Sequence, residues 1–169
     1  MNADELLKRY AEGERDFEAI DLQGGDLRQA TLMCVRLNGA NLSEANLSGT
    51  NLSSAKLAET KLCNADLSQA TLLSTDLSGA NLSGANLGGA NLSGANLSGA
   101  DLSWANLIGC TLRSADLEGA NLEGAHLQYA RLIDANLTDA NLDGANLHWA
   151  QLEGATLDRV TMPDAISPS

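Results

Sequence analysis

The chain is poor in the residues that fill an ordinary core: aromatics make up 3% of its 169 residues, with a single Phe, two Tyr and two Trp. Without such large side chains, a core must be built from many small residues packed in a regular way. Basic residues are scarce as well, and the formal net charge is -12. Binding nucleic acid through phosphate neutralisation needs a basic face, so direct binding of that kind is excluded. An acidic surface suits solubility, a basic partner or mimicry of a polyanion. Three cysteines, Cys34, Cys63 and Cys110, are an odd number at wide spacings. They signal neither a disulfide framework nor a CxxC metal knuckle, and a reducing compartment is the simpler assumption. Long apolar runs are missing too. The opening MNADELLKRYAEGERDF has no secretory apolar core, and no stretch approaches a membrane span, so the chain is expected to be cytoplasmic, away from membranes.

What is abundant is repetition. From Phe17 to Met162 a large apolar residue returns every five positions without an insertion or deletion, and 28 of these 30 centres are Leu. Two residues before each centre the choice is again narrow: Ala in 21 of the 30, with Val35, Thr50, Thr60, Thr75, Cys110 and Val160 among the exceptions. Small and large alternate with a period of two, as on the buried side of a strand, whereas five is not a multiple of the helical 3.6. A flat strand cannot carry the pattern on, because the next inward pair would fall on the wrong face of the pleat. The chain must therefore turn after every pentad. Thirteen of the sixteen glycines lie two residues after a centre, where a turn asks for a permissive backbone.

The motif A-[N/D]-L-[S/E/x]-[G/x], as in GANLSGANLGGANLSGANLSGADL at 79–102, resembles that of the pentapeptide-repeat family over residues 15–164. The resemblance implies an all-β solenoid, a right-handed quadrilateral parallel β-helix with four pentads to each 20-residue coil, here about seven and a half coils. A rod core about 35 Å long follows from a coil spacing of about 4.8 Å. Residues 1–14 are expected to form an N-terminal cap, 15–164 the β-helix and 165–169 a C-terminal tail. Within the cap, Asn2 followed by Glu5 pairs like a capping box, and Ala3, Leu6, Leu7 and Tyr10 share one face, predicting a helix over 2–12. The stretch LLKRYAEGERDF also resembles caps of cyanobacterial members and implies a cyanobacterial source. At the other end Pro163 and Pro168 cannot donate ladder hydrogen bonds and should stop the sheet. Topoisomerase-inhibiting members dimerise through a C-terminal helix that has no counterpart here. A monomer is expected, with end-to-end pairing of last coils as the alternative.

Position modulo 20 assigns every outward residue to one of four faces. The faces centred on Phe17–Leu157 and Leu22–Met162 sum to -4 and -5, whereas those centred on Leu27–Leu147 and Leu32–Leu152 sum to -1 and 0. The neutral pair also gathers outward apolar and aromatic residues near the C-terminal end. Ile108, His126, Tyr129, His148 and Trp149 fall on the third face, and Arg131 and Ile133 lie around the corner on the fourth. Tyr129 and Trp149, 20 residues apart, are expected to stack on successive coils, while Trp104 is assigned to the acidic second face. Aromatic and Arg side chains together are the composition of interface hot spots, so these seven residues form the candidate partner-binding patch. Cross-strand pairing that merely stabilises the wall would account for the same residues.

No catalytic or cofactor site is expected. His126 and His148 lie one coil apart, but a metal needs three or four ligands and no third accompanies them. Cys110 takes an inward small position, where a thiol is a packing residue. The serines have no His partner, no glycine loop leads from strand to helix, and carboxylate pairs such as Asp116 and Glu118 flank a flat wall. The chain is therefore expected to act through a protein partner, as a scaffold of unassigned biochemical role. Family resemblance supports this, since many cyanobacterial members have no assigned activity and at least one acts in heterocyst differentiation through a partner. The alternative is an acidic mimic of duplex DNA that inhibits a DNA-binding enzyme such as gyrase. Leu rather than Phe centres and the lack of a loop insertion count against it.

Overall fold

The computed structural model describes residues 1–164, and the expected tail at 165–169 and Pro168 lie outside them. One helix, α1, spans Ala3–Ala11. Asn2 caps it by accepting the Glu5 N–H at 2.9 Å, and acidic Asp4 and Glu5 open it while basic Lys8 and Arg9 close it, complementing the helix dipole. Its apolar face buries Leu6 completely, with Ala3, Leu7 and Tyr10 packed partly against the first coils. The Tyr10 hydroxyl donates to the Met33 carbonyl, and Arg15 stacks over the Tyr10 ring at 3.8 Å, fastening the helix across the end of the solenoid.

Beyond the helix the described residues form 26 parallel bridges, and every one joins a residue to the residue 20 positions later, from Asp16↔Arg36 to Asn141↔Thr161. Four bridging positions per 20 residues make a four-sided solenoid. Each side is too short for an extended strand, so its ladder is one residue wide and repeats coil by coil. The centre N–H donates forward, as Leu92 does to the Thr111 carbonyl at 2.7 Å, and the residue before it donates backward, as Asn91 does to Ala70 at 2.9 Å. The corner is closed by a turn whose fourth residue donates to the centre carbonyl, Ala95 to Leu92 at 3.0 Å. The ladder stops at Thr161, just before Pro163.

Inside, the Leu centres stack in four columns and the Ala residues fill the corners beside them; from Leu22 to Leu142 each Leu centre is at most 3% exposed. Burial on this scale contributes roughly 1.5–3 kcal/mol per Leu before conformational entropy is subtracted. Thr50, Thr60 and Thr75 occupy Ala sites, yet their hydroxyls stay satisfied, each donating to the carbonyl of the Leu 23 positions earlier at 2.7–2.9 Å. Outside, the preference for Asn or Asp before each centre has a local cause: the side-chain oxygen accepts the N–H two residues on, as Asn91 does from Ser93 at 3.1 Å. The spare amide then reaches back one coil. Asn106 donates to Asn86 and Asn86 to Asp66, so that a carboxylate, which only accepts, terminates the row.

Candidate functional site

The turns decide how outward residues are presented. In all 29 of them the third residue has positive φ; thirteen use Gly, and sixteen hold another residue in the left-handed region. Gly is therefore not what makes the chain turn; the inward Leu and Ala pattern is. Trp104 (φ 58°), Tyr129 (φ 61°) and Trp149 (φ 61°) stand at such positions and are the most exposed large apolar side chains, at 64%, 60% and 59%. A bulky residue in this region is an outlier that costs on the order of 1 kcal/mol.

Seven sequence-predicted residues sit where the pentad phase puts them, on two adjoining sides of the last coils. Parallel bridges align Asn106, His126 and Asn146 on the third side, and Thr111, Arg131 and Gln151 on the fourth. Ile108 and His148 lie one residue past their centres on the third side, Ile133 one past Leu132 on the fourth, and Tyr129 and Trp149 occupy the corner between. Beneath this wall Leu127, Ala130 and Leu132 remain at most 1% exposed, so the repeat is intact and only the outward residues differ.

One expectation is corrected. Tyr129 and Trp149 do not stack; the aromatic contact in the described residues is Trp149 with His148 of its own coil, edge to face at 5.0 Å and 79°. A ring on an exposed corner is free to turn about its side-chain bonds, and the adjacent imidazole edge is a better partner for a ring face than a parallel ring one coil away. Trp104 keeps its place on the second side, as the pentad phase puts it. It stands at the corner between the second and third faces and leans toward the next coil, over Gly124, where an added Cβ would lie 2.5–2.8 Å from three of its ring atoms. Trp104 thus edges the third face opposite the corner of Tyr129 and Trp149.

Sequence reasoning also passed over Gln128. Its Oε1 is buried on the third side without a hydrogen-bond partner. The signal was available in its column, where Ile108, Gln128 and His148 replace the Ser, Arg and Gly of earlier coils. His126 bridges to Asn146 rather than facing His148, and no group of three potential metal ligands exists among the described residues. Cys110 is buried in its inward site, and burial pushes its thiol up to about 12, while Cys34 is exposed at a turn. Only the thiolate reacts. Iodoacetamide at pH 8 is therefore expected to modify Cys34 in the native protein and spare Cys110 until denaturant is added, as read by mass spectrometry.

No described helix is long and apolar enough to cross a membrane. The family model described as pentapeptide repeats, in eight copies, matches residues 16–49, 50–89, 85–124 and 120–159. The chain matches none of the curated proteins searched. Among solved structures it resembles a pentapeptide repeat protein from the Arabidopsis thaliana thylakoid lumen, at 36% identity over 56% of this chain and 66% of that one, with a TM-score of 0.55. It also resembles Rfr23 from the cyanobacterium Cyanothece 51142, at 25% identity over 95% of this chain and 99% of that one, with a TM-score of 0.51. HetL, involved in heterocyst differentiation regulation in the cyanobacterium Nostoc, is 34% identical over 97% of this chain and 98% of that one, with a TM-score of 0.33. Repeat, bridge register and relatives agree that the chain belongs to the pentapeptide repeat family.

Proposed function

We propose that the chain is a non-catalytic interaction scaffold, a right-handed rod of about seven and a half coils that acts as a monomer. Its partner is another protein, held by the wall of Ile108, His126, Tyr129, Arg131, Ile133, His148 and Trp149. One observation carries the reading: Tyr129 and Trp149, 60% and 59% exposed, stand at the same corner of successive coils beside the rest of this wall. Large exposed aromatic side chains of this kind are the usual anchors of protein interfaces. The full-length sequence similarity to HetL, a protein named for a regulatory role, agrees with a scaffold. The acidic sides are less suited to mimic DNA, because several of their carboxylates are tied up within the wall. Asp16 and Glu18 lie against Arg36, Asp76 against Lys56 and Asp139 against Arg159, while Asp116 accepts from Asn136.

The test compares the wild type with a Tyr129→Gly, Trp149→Gly double variant in affinity capture from lysate of the source cells. Gly suits the left-handed turns, so the variant is expected to fold at least as stably as the wild type. Proteins held by the wild type should be lost from the variant, and recovery of the same set by both would remove this wall from consideration.

A further inference from the structure

Five of the ten cations on this acidic chain lie in ion pairs. Arg9 pairs with Glu14, Arg28 with Asp26, Arg36 with Asp16 and Glu18, Lys56 with Asp76 and Arg159 with Asp139. Arg15 is held by the carbonyls of Tyr10 and Glu14. Among the described residues, the β-helix cations other than Arg15 that form no ion pair are Lys61, on the acidic second face, and Arg113 and Arg131, on successive coils of the fourth. Both arginines are exposed, and Asp134 and Glu153 on the same side pair with neither. Arg131 stands directly over Thr111 by their bridge, and Arg113 lies two residues further along the same side. One coil step and two residues of extended chain separate their backbones by about 8 Å on the diagonal.

We propose that Arg113 and Arg131 are the anion-recognition element of the partner wall, and that the partner presents to it an extended acidic segment with carboxylates two residues apart. The proposal rests on the reading of this wall as a partner surface. Carboxylates at alternate residues of an extended chain are about 6.6–7 Å apart, within reach of two guanidinium groups at that diagonal. An Arg fork takes a carboxylate with two parallel hydrogen bonds, and the planar groups suit the neighbouring aromatic corner. Ile133 stacks over Arg113 and leaves an apolar contact between the two charges. Charge favours this occupant here over the acidic sides: the first and second faces, at -4 and -5, repel an acidic segment, whereas on the fourth, at 0, Arg113 and Arg131 balance the exposed Asp134 and Glu153. Repulsion elsewhere confines the docking to one wall and fixes its orientation.

A random dodecapeptide library displayed on phage would be panned on three full-length proteins: the wild type, Arg113→Glu with Arg131→Glu, and Tyr129→Gly with Trp149→Gly. The arginine side chains are exposed and unpaired, so the charge-reversed protein should match the wild type in circular dichroism and melting. Wild type is expected to enrich peptides with Asp or Glu at alternate positions about tenfold over input, and charge reversal to abolish that bias. The proposal is overturned if wild type selects peptides without an acidic bias, or if the bias survives charge reversal. Neutral peptides selected by wild type and lost from the aromatic variant would sink the acidic segment and leave the partner wall standing. No selection on any of the three proteins would sink both.

Discussion

Leu92→Ala is expected to lower the unfolding free energy by roughly 2–5 kcal/mol, the range for deleting a buried Leu side chain where the site cannot collapse. Leu92 is fully buried in the middle of a column, between Leu72 and Leu112 at 0% and 1% exposure. Its coil is pinned on both sides, forward through the Thr111 carbonyl at 2.7 Å and backward through Ala70 at 2.9 Å. The coils cannot close over the missing carbons without breaking those bonds, so the cavity persists. Leu152→Ala should cost less than half as much, because Leu152 is only partly buried and has one column neighbour within the described coils, Leu132. Stability in a solenoid is a sum over neighbouring units, which makes this gradient from middle to end its signature. Urea denaturation followed by circular dichroism gives both values; equal losses would mean that the coils unfold without regard to position.

Gly124→Ala is expected to cost more than Gly119→Ala, although the two turns share φ near +64°. At Gly119 an added Cβ meets nothing within 4 Å, so only the left-handed backbone is strained, on the order of 1 kcal/mol. At Gly124 the same atom would fall 2.5–2.8 Å from the Trp104 ring, which must leave its seat. A total of about 2–3 kcal/mol and a change in Trp emission should result, combining backbone strain with lost ring packing. The cycle that includes Trp104→Ala separates the two effects. In that background Gly124→Ala should fall to the cost of Gly119→Ala. If it does not, the ring and the glycine are not coupled.

The solenoid was legible because its determinants are local and redundant. A pentad such as Ala95, Asn96, Leu97, Ser98, Gly99 carries the inward pair, the Asx acceptor and the turn, and it does so in unbroken phase. The α1 helix was legible for a similar reason, since Asn2 and the face of Ala3, Leu6, Leu7 and Tyr10 lie within three turns of one another. Glycine was the weaker marker. It accounts for thirteen turns, yet Gln29, Glu59, Tyr129 and twelve further non-glycine residues besides Trp104 adopt the same positive φ because the inward Leu and Ala on either side force the corner.

The sequence by itself determined the period, the identity of every buried column, the capping helix and the two sides on which the unusual residues gather. Tertiary structure decided how those residues are presented. Trp104 leans over Gly124, Trp149 turns to His148 instead of Tyr129, Gln128 buries an unpartnered oxygen, and Arg113 and Arg131 are left without carboxylates while Arg36 and Arg159 find them. The physical reason is that inward positions are set by backbone phase, which a five-residue window contains. Outward side chains settle by torsions and by neighbours 20 residues away, and those meet only once the coils have stacked.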